Sequence, residues 1–182
     1  MPQQQYDPYA SHLPALSVVL GRLGHSIRSV LEVGCGFYST PLFRSFCAAK
    51  EMGEHVILES DGQWRKRVSS LFDVEVRLFD GDALPDDVQQ RHWDLAFIDC
   101  AVESSRGQHA LNLHGQADVI VLHDSNHDWD IAYEYSAIIP LWSHAYHFTE
   151  TYPHTLVLTD SDDIWTALGL ERLNQRSATH GH

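Results

Sequence analysis

Cysteine is scarce in this chain: Cys35, Cys47 and Cys100 are the only three among 182 residues. An odd, widely spaced set excludes a disulfide framework and fits reduced thiols. Lysine is scarcer still, with Lys50 and Lys66 alone, and none follows Lys66. A groove that tracks nucleic-acid phosphates is built from clustered Lys and Arg, so that partner class is excluded here. No apolar run approaches the length of a membrane span, and no cationic-then-apolar stretch opens the sequence. A soluble, cytoplasmic protein with no membrane partner is the expectation.

What is present is an ordinary globular composition, 43% hydrophobic and 20% charged, which at this length can bury a core in one domain. The formal charge is −13, and its distribution is uneven. Residues 1–77 are neutral overall, with eight acids against eight bases. Residues 78–170 carry sixteen acids against Arg91 and Arg106 alone. Any site in the second half therefore works inside a negative field.

Apolar periodicity predicts alternating elements. A loose arm over residues 1–8 precedes a helix over 9–26, with Leu13, Leu16, Val19, Leu20 and Leu23 on one face. Strands are expected at 29–33, 55–59, 74–79, 94–99 and 118–122, with two more near 145–149 and 155–158. Helices are expected at 40–49, at 61–72 behind an Asp61 cap, at 106–115 and at 129–139. The runs at 94–99 and 118–122 are apolar throughout their middles, as in parallel strands covered on both faces. The pattern predicts a single α/β domain over 9–170 and a disordered tail over 171–182. Its architecture is a Rossmann-like, doubly wound, seven-stranded sheet, mostly parallel with an antiparallel last strand and helices on both faces.

Three motifs fall at consecutive strand ends. Gly34-Cys35-Gly36 allows a sharp turn and close backbone approach at a helix N-terminus. Glu32, two residues earlier, would oppose a pyrophosphate but suits a cationic ligand. Glu59 stands where doubly wound nucleotide sites place a ribose-binding carboxylate. Gly81-Asp82-Ala83 offers an acid to an exocyclic amine, or a simple turn.

In this order, Glu32-Val-Gly-Cys-Gly36, Glu59 with Ser60, and Asp82 with Ala83 resemble the S-adenosylmethionine site of class I methyltransferases, over about residues 9–160. The resemblance implies that Glu32, Gly34, Cys35 and Gly36 hold the methionine end. Glu59 would take the ribose hydroxyls and Asp82 the adenine amine. Tyr38-Ser39-Thr40 replaces the third glycine, as in a subset whose loop runs Glu-x-Gly-x-Gly-x-x-Ser-Thr, which brings Ser39 and Thr40 into the cofactor site.

The chemistry is expected at the ends of the fourth and fifth strands. Asp99 and Asp124 resemble the pair that holds Mg2+ in metal-dependent, catechol-type O-methyltransferases, with Asn126 as third ligand one place late. Asp99 also borders the cofactor. No lysine is available as base, and His123 is the candidate general base or else a polar strand-end residue. His123 with His127 would make a transition-metal pair if the segment were helical. Arg106 would bind a substrate carboxylate or pair with Glu103, and Cys100 reads as packing. Trp129, Tyr133, Tyr135 and Trp142 either wall a pocket or pack in the core.

The function expected from this set is S-adenosylmethionine-dependent O-methylation of a small-molecule or sugar hydroxyl. The alternatives are a cofactor-binding module without turnover and a nicotinamide-dependent oxidoreductase. With the chain nearly all spent on the core fold, a homodimer would supply any missing cover.

Overall fold

The computed structural model describes residues 7–50 and 53–170. The expected arm up to residue 6 and the expected tail over 171–182 lie outside the described residues. From Pro8 a single 3-10 turn leads into α1 (Leu13–Leu23), whose residues Leu16, Val19 and Leu23 are buried. The chain then alternates through β1 (Ser29–Val33), α2 (Ser39–Ala48), β2 (Glu54–Glu59), α3 (Gly62–Phe72), β3 (Arg77–Leu78), α4 (Asp86–Gln89), β4 (Trp93–Ile98), α5 (Arg106–Asn112) and β5 (Ala117–His123). Short helices α6 (Asp130–Tyr133) and α7 (Tyr135–Ile138) follow, then β6 (His144–Phe148), β7 (Thr155–Thr159) and α8 (Asp162–Leu168).

The seven strands form one sheet in the order β3-β2-β1-β4-β5-β7-β6. β1 pairs in parallel with both β2 and β4, and β4 with β5, whereas β7 runs antiparallel to β5 and β6. The order reverses between β1 and β4, so their carboxyl ends open a crevice there. Alternate residues feed two cores. Leu95 and Phe97 of β4 face α1, α2 and α8 through Leu16, Phe43 and Trp165. Ala96 and Ile98 face Ala110, Tyr135 and Leu113 on the other side.

The expected architecture is present, with differences in detail: α4 was not anticipated and the helix expected over 9–26 contracts to Leu13–Leu23. The strand expected over 74–79 contracts to Arg77–Leu78, whose side chains are exposed at the sheet edge. The helix expected to reach residue 115 stops at Asn112. The helix expected over 129–139 is broken because Glu134 adopts a left-handed conformation, φ 56°. That break lets Gly107 pack against the carbonyl of Tyr133, where a Cβ would approach to 2.5 Å. Finally α8 was not anticipated, although Ser161 caps Ile164 N–H and Asp162 and Asp163 fill its first turn.

Candidate active site

The cofactor end is built from backbone geometry. Gly34 leaves β1 with φ 90°, and its amide donates to the Leu58 carbonyl at 2.9 Å. A Cβ at this position would lie 2.2 Å from the Asp99 carbonyl, so only glycine lets the β1 and β4 ends close together. Beneath the loop Glu32 is fully buried and accepts from Thr40 Oγ1 at 3.0 Å and His55 Nε2 at 2.9 Å. Thr40 Oγ1 in turn accepts from the Gly36 amide at 3.0 Å, tying the loop to the start of α2. Ser39 is buried beside Gly36, with its Oγ 3.2 Å from where a Gly36 Cβ would lie.

Glu59 curls back under the same loop. One carboxylate oxygen accepts from Cys35 N–H at 3.1 Å, the other from Ser60 and Asp61 N–H at 2.8 and 2.9 Å. It is thus satisfied inside the protein, and a ribose diol would have to displace the Cys35 contacts to reach it. The Cys35 thiol is pushed up in pKa by burial and by the Glu59 charge, so it stays protonated. Asp82 and Ala83 are exposed, and both amides are capped by Asp80, which takes the turn-forming role considered for Asp82. Two residues that sequence reasoning passed over also hold this end. Trp64 Nε1 donates to the Cys35 carbonyl at 2.7 Å, and His109 Nε2 reaches the Gly81 carbonyl at 3.0 Å. Neither carries a local signal, because each acts across elements.

The end at which the acceptor is expected, at the close of β4 and β5, is built from charge. The structure brings Asp99, His123 and Asp124 together, as expected. Arg106, only 5% exposed, lies between the two carboxylates, 3.1 Å from Asp99 Oδ1 and 2.8 Å from Asp124 Oδ2. It also donates to the Cys100 carbonyl at 2.7 Å and sits over the Tyr133 ring. Its partners are therefore Asp99 and Asp124. Burial pulls the Arg106 pKa down, but Asp99, Tyr135, Asp124 and Tyr133 together outweigh it and the guanidinium stays charged. Burial pushes the Asp99 carboxyl up, and His123 and Arg106 reverse that, leaving it below the usual range.

His123 Nδ1 lies 3.2 Å from Asp99 Oδ1 and 3.5 Å from Asp124 Oδ1, while Nε2 lies 2.7 Å from Ser11 Oγ. Burial lowers the His123 pKa, and the two carboxylates raise it overall. Nε2 is engaged by Ser11, while Nδ1 has no hydrogen-bond partner of its own and faces the two carboxylates. The fifth member is His12, buried at 2% exposure with its ring edge-on to His123 at 4.9 Å. Burial and His123 lower its pKa to about 4. His12 and Ser11 come from the turn before α1, and no sequence spacing could have placed them there.

The Mg2+ arrangement drawn from the family resemblance does not fit. Arg106 already bridges Asp99 and Asp124, and Asn126 Oδ1 accepts from His154 N–H at 2.8 Å. His127 is exposed, and the histidine beside His123 is His12. Cys100 is buried at 1%, and burial raises its thiol pKa, as expected of packing. Tyr133, Tyr135 and Trp142 are core residues, and Trp129 stacks over Tyr133 at the surface. After Asp99, Ala101 and Ser104 wall a cleft of about 480 Å3 together with Ile131, Ala132 and Glu134.

Strand order, the antiparallel β7 and the glycine turn at the switch point define a Rossmann-like fold of the class I methyltransferase type. Among solved structures the chain is similar to an O-methyltransferase of Bacillus cereus in complex with SAH. The pair is 20% identical, covers 87% of this chain and 84% of that one, and has a TM-score of 0.57. It is similar also to the O-methyltransferase TomG of Streptomyces achromogenes in complex with SAM, at 17% identity, 88% and 93% coverage and a TM-score of 0.57. A third neighbour, from Klebsiella pneumoniae, is described as a putative O-methyltransferase, with 18% identity, 88% and 84% coverage and a TM-score of 0.56. No family model and no curated protein matches the chain. Among the described residues no helix is long and apolar enough to cross a membrane.

Proposed function

We propose that the protein is an S-adenosylmethionine-dependent methyltransferase acting on a hydroxyl of a small molecule. The observation that carries this reading is the contact between its two halves. The Gly34 backbone, over a buried Glu32, abuts Asp99, so a cationic cofactor on the loop would point its reactive carbon at the strand ends that carry the acidic cluster. A carboxylate beneath the loop suits the ammonium and sulfonium of this cofactor and opposes a nicotinamide dinucleotide's pyrophosphate.

In the transfer, the acceptor oxygen attacks the methyl carbon in line. The carbon–sulfur bond breaks, and its electron pair stays on sulfur as a neutral thioether. The hydroxyl hydrogen-bonds to the Asp99–Asp124 carboxylates, and the proton passes to that pair as the carbon–oxygen bond forms. Arg106 holds the two carboxylates in place and helps to lower the Asp99 pKa; it is a positioning residue. The cleft of about 480 Å3 beside Ser104 and Glu134 is of a size that suits a small acceptor.

The test is calorimetric titration with S-adenosylhomocysteine and NADH, followed by methyl release across a panel of hydroxyl compounds. Binding of S-adenosylhomocysteine but not NADH, with turnover lost in Asp99→Ala, is the expected result. Binding of NADH alone would reject the reading. Binding of S-adenosylhomocysteine with no turnover on any acceptor would favour a binding module.

A further inference from the structure

The His12 ring poses a hydrogen-bonding problem that the rest of the fold does not answer. It is 2% exposed, and neither nitrogen has a hydrogen-bond partner among the described residues. A neutral imidazole carries one donor and one acceptor, and a buried unpaired polar group costs about 1–3 kcal/mol. A group left so in a well-packed interior calls for a missing ligand. Around it stand Phe97, with ring centroids 5.0 Å apart, His123 and Asp99.

Hydrogen-bond direction at Ser11 fixes the orientation of His123. The Ser11 hydroxyl has one proton and donates it to the Pro8 carbonyl at 2.8 Å. It therefore accepts from His123 Nε2–H at 2.7 Å. That leaves a neutral His123 with its Nδ1 lone pair turned toward Asp99 and Asp124, lone pair against carboxylate. A cation between them removes the repulsion. A proton on Nδ1 would do so for His123 alone and would leave His12 orphaned. A metal ion takes one nitrogen from each ring.

One ligand atom from each of His12, Asp99 and His123 lies within 4.8 Å of the others. The His123–Asp99 separation of 3.2 Å is already what two ligands of one small cation show, since metal bonds of about 2.0–2.2 Å place neighbouring ligand atoms about 3–3.5 Å apart. The Ser11 contact is the outer hydrogen bond that typically orients a ligating imidazole. We propose that His12, Asp99 and His123 form a site for one divalent transition-metal ion of the zinc class, with the Asp99 carboxylate ligating the ion while it keeps its contact with Arg106 at 3.1 Å. Two imidazoles and one carboxylate suit Zn2+ or Co2+ and are a poor set for Mg2+. The site shares Asp99 with the proposed acceptor end, but its occupancy does not depend on methyl transfer.

The test uses the full chain, stripped with chelator and titrated with Co2+ while visible absorption and heat are recorded, then with Zn2+ in competition. The expected result is a high-affinity class of one equivalent with tetrahedral-type visible bands, displaced by Zn2+. His12→Phe, which keeps the ring packing on Phe97, should weaken that class by about 100-fold or more while retaining the melting transition. His92→Ala, in the exposed His92–Asp94–Asp118 cluster, should leave it unchanged. Absence of a one-equivalent class in folded protein, or one indifferent to His12→Phe, would overturn the proposal. If His12→Phe does not fold, His12→Asn and the Asp99→Asn variant must show the loss. S-adenosylhomocysteine titration of the same samples separates this outcome from failure of the methyltransferase reading.

Discussion

The glycine loop and the Arg106 cluster sit on adjoining strand ends of one crevice and are stabilised in different ways. The loop rests on two buried carboxylates, Glu32 and Glu59, each satisfied by hydrogen bonds. It is held by a left-handed glycine, a buried Glu32–Thr40–Gly36 chain of hydrogen bonds and the Trp64 clamp. The cluster concentrates two carboxylates, a guanidinium and two imidazoles in a largely buried volume, held chiefly by contacts between side chains. One end depends on shape and the other on balanced charge, so they should fail differently when perturbed.

The sharpest break on the shape side is Gly34→Ala. Its Cβ would meet backbone that cannot move aside, at a φ that L residues avoid. A loss of about 4 kcal/mol or more is expected, with S-adenosylhomocysteine binding abolished, by chemical denaturation and calorimetry. On the charge side, Arg106→Met takes from Asp99 and Asp124 the guanidinium that lies between them and leaves only His123 beside both. Breaking a buried pair this way costs about 3–5 kcal/mol. Adding Asp124→Asn should restore part of it, whereas no partner change should rescue Gly34→Ala. A double variant no more stable than Arg106→Met would mean that charge does not govern this end.

A milder perturbation is Thr40→Val, which deletes a hydroxyl that donates to Glu32 and accepts from Gly36. About 1–3 kcal/mol should be lost, with weaker cofactor binding and unchanged spectra at the acceptor end. The smallest effect concerns pH. His109 is fully buried against the Gly81 carbonyl, and burial holds its pKa below the ordinary imidazole value. Its unfolded form takes up a proton more readily, so its contribution is intact above about pH 6.5 and declines as pH falls from there toward the lower folded value. Melting temperature should fall between pH 7 and pH 5, and the His109→Gln variant should show a shallower fall.

Legibility in the sequence follows the same division. Glu32, Gly34 and Thr40 lie within nine residues, and turn chemistry plus strand ends was enough to place them around one loop. Asp99 and Asp124 were readable as strand-end acids, yet their bridging by Arg106 was not, and neither was the exposed position of His127. The broken helix at Glu134 was hidden because a left-handed glutamate has no compositional signal. The missed α8 had one, in Ser161-Asp162-Asp163.

By itself the sequence determined the alternation of strands and helices, the glycine turn with its buried acid, and the acidic character of the second half. These are set by local propensity, periodicity and count, which act over a few residues. Only the tertiary structure decided that Arg106 stands between Asp99 and Asp124 and that Ser11 and His12 reach His123, 112 and 111 positions away. Contacts between distant segments follow from sheet order and helix packing. The burial those contacts create sets the charge states at the acceptor end.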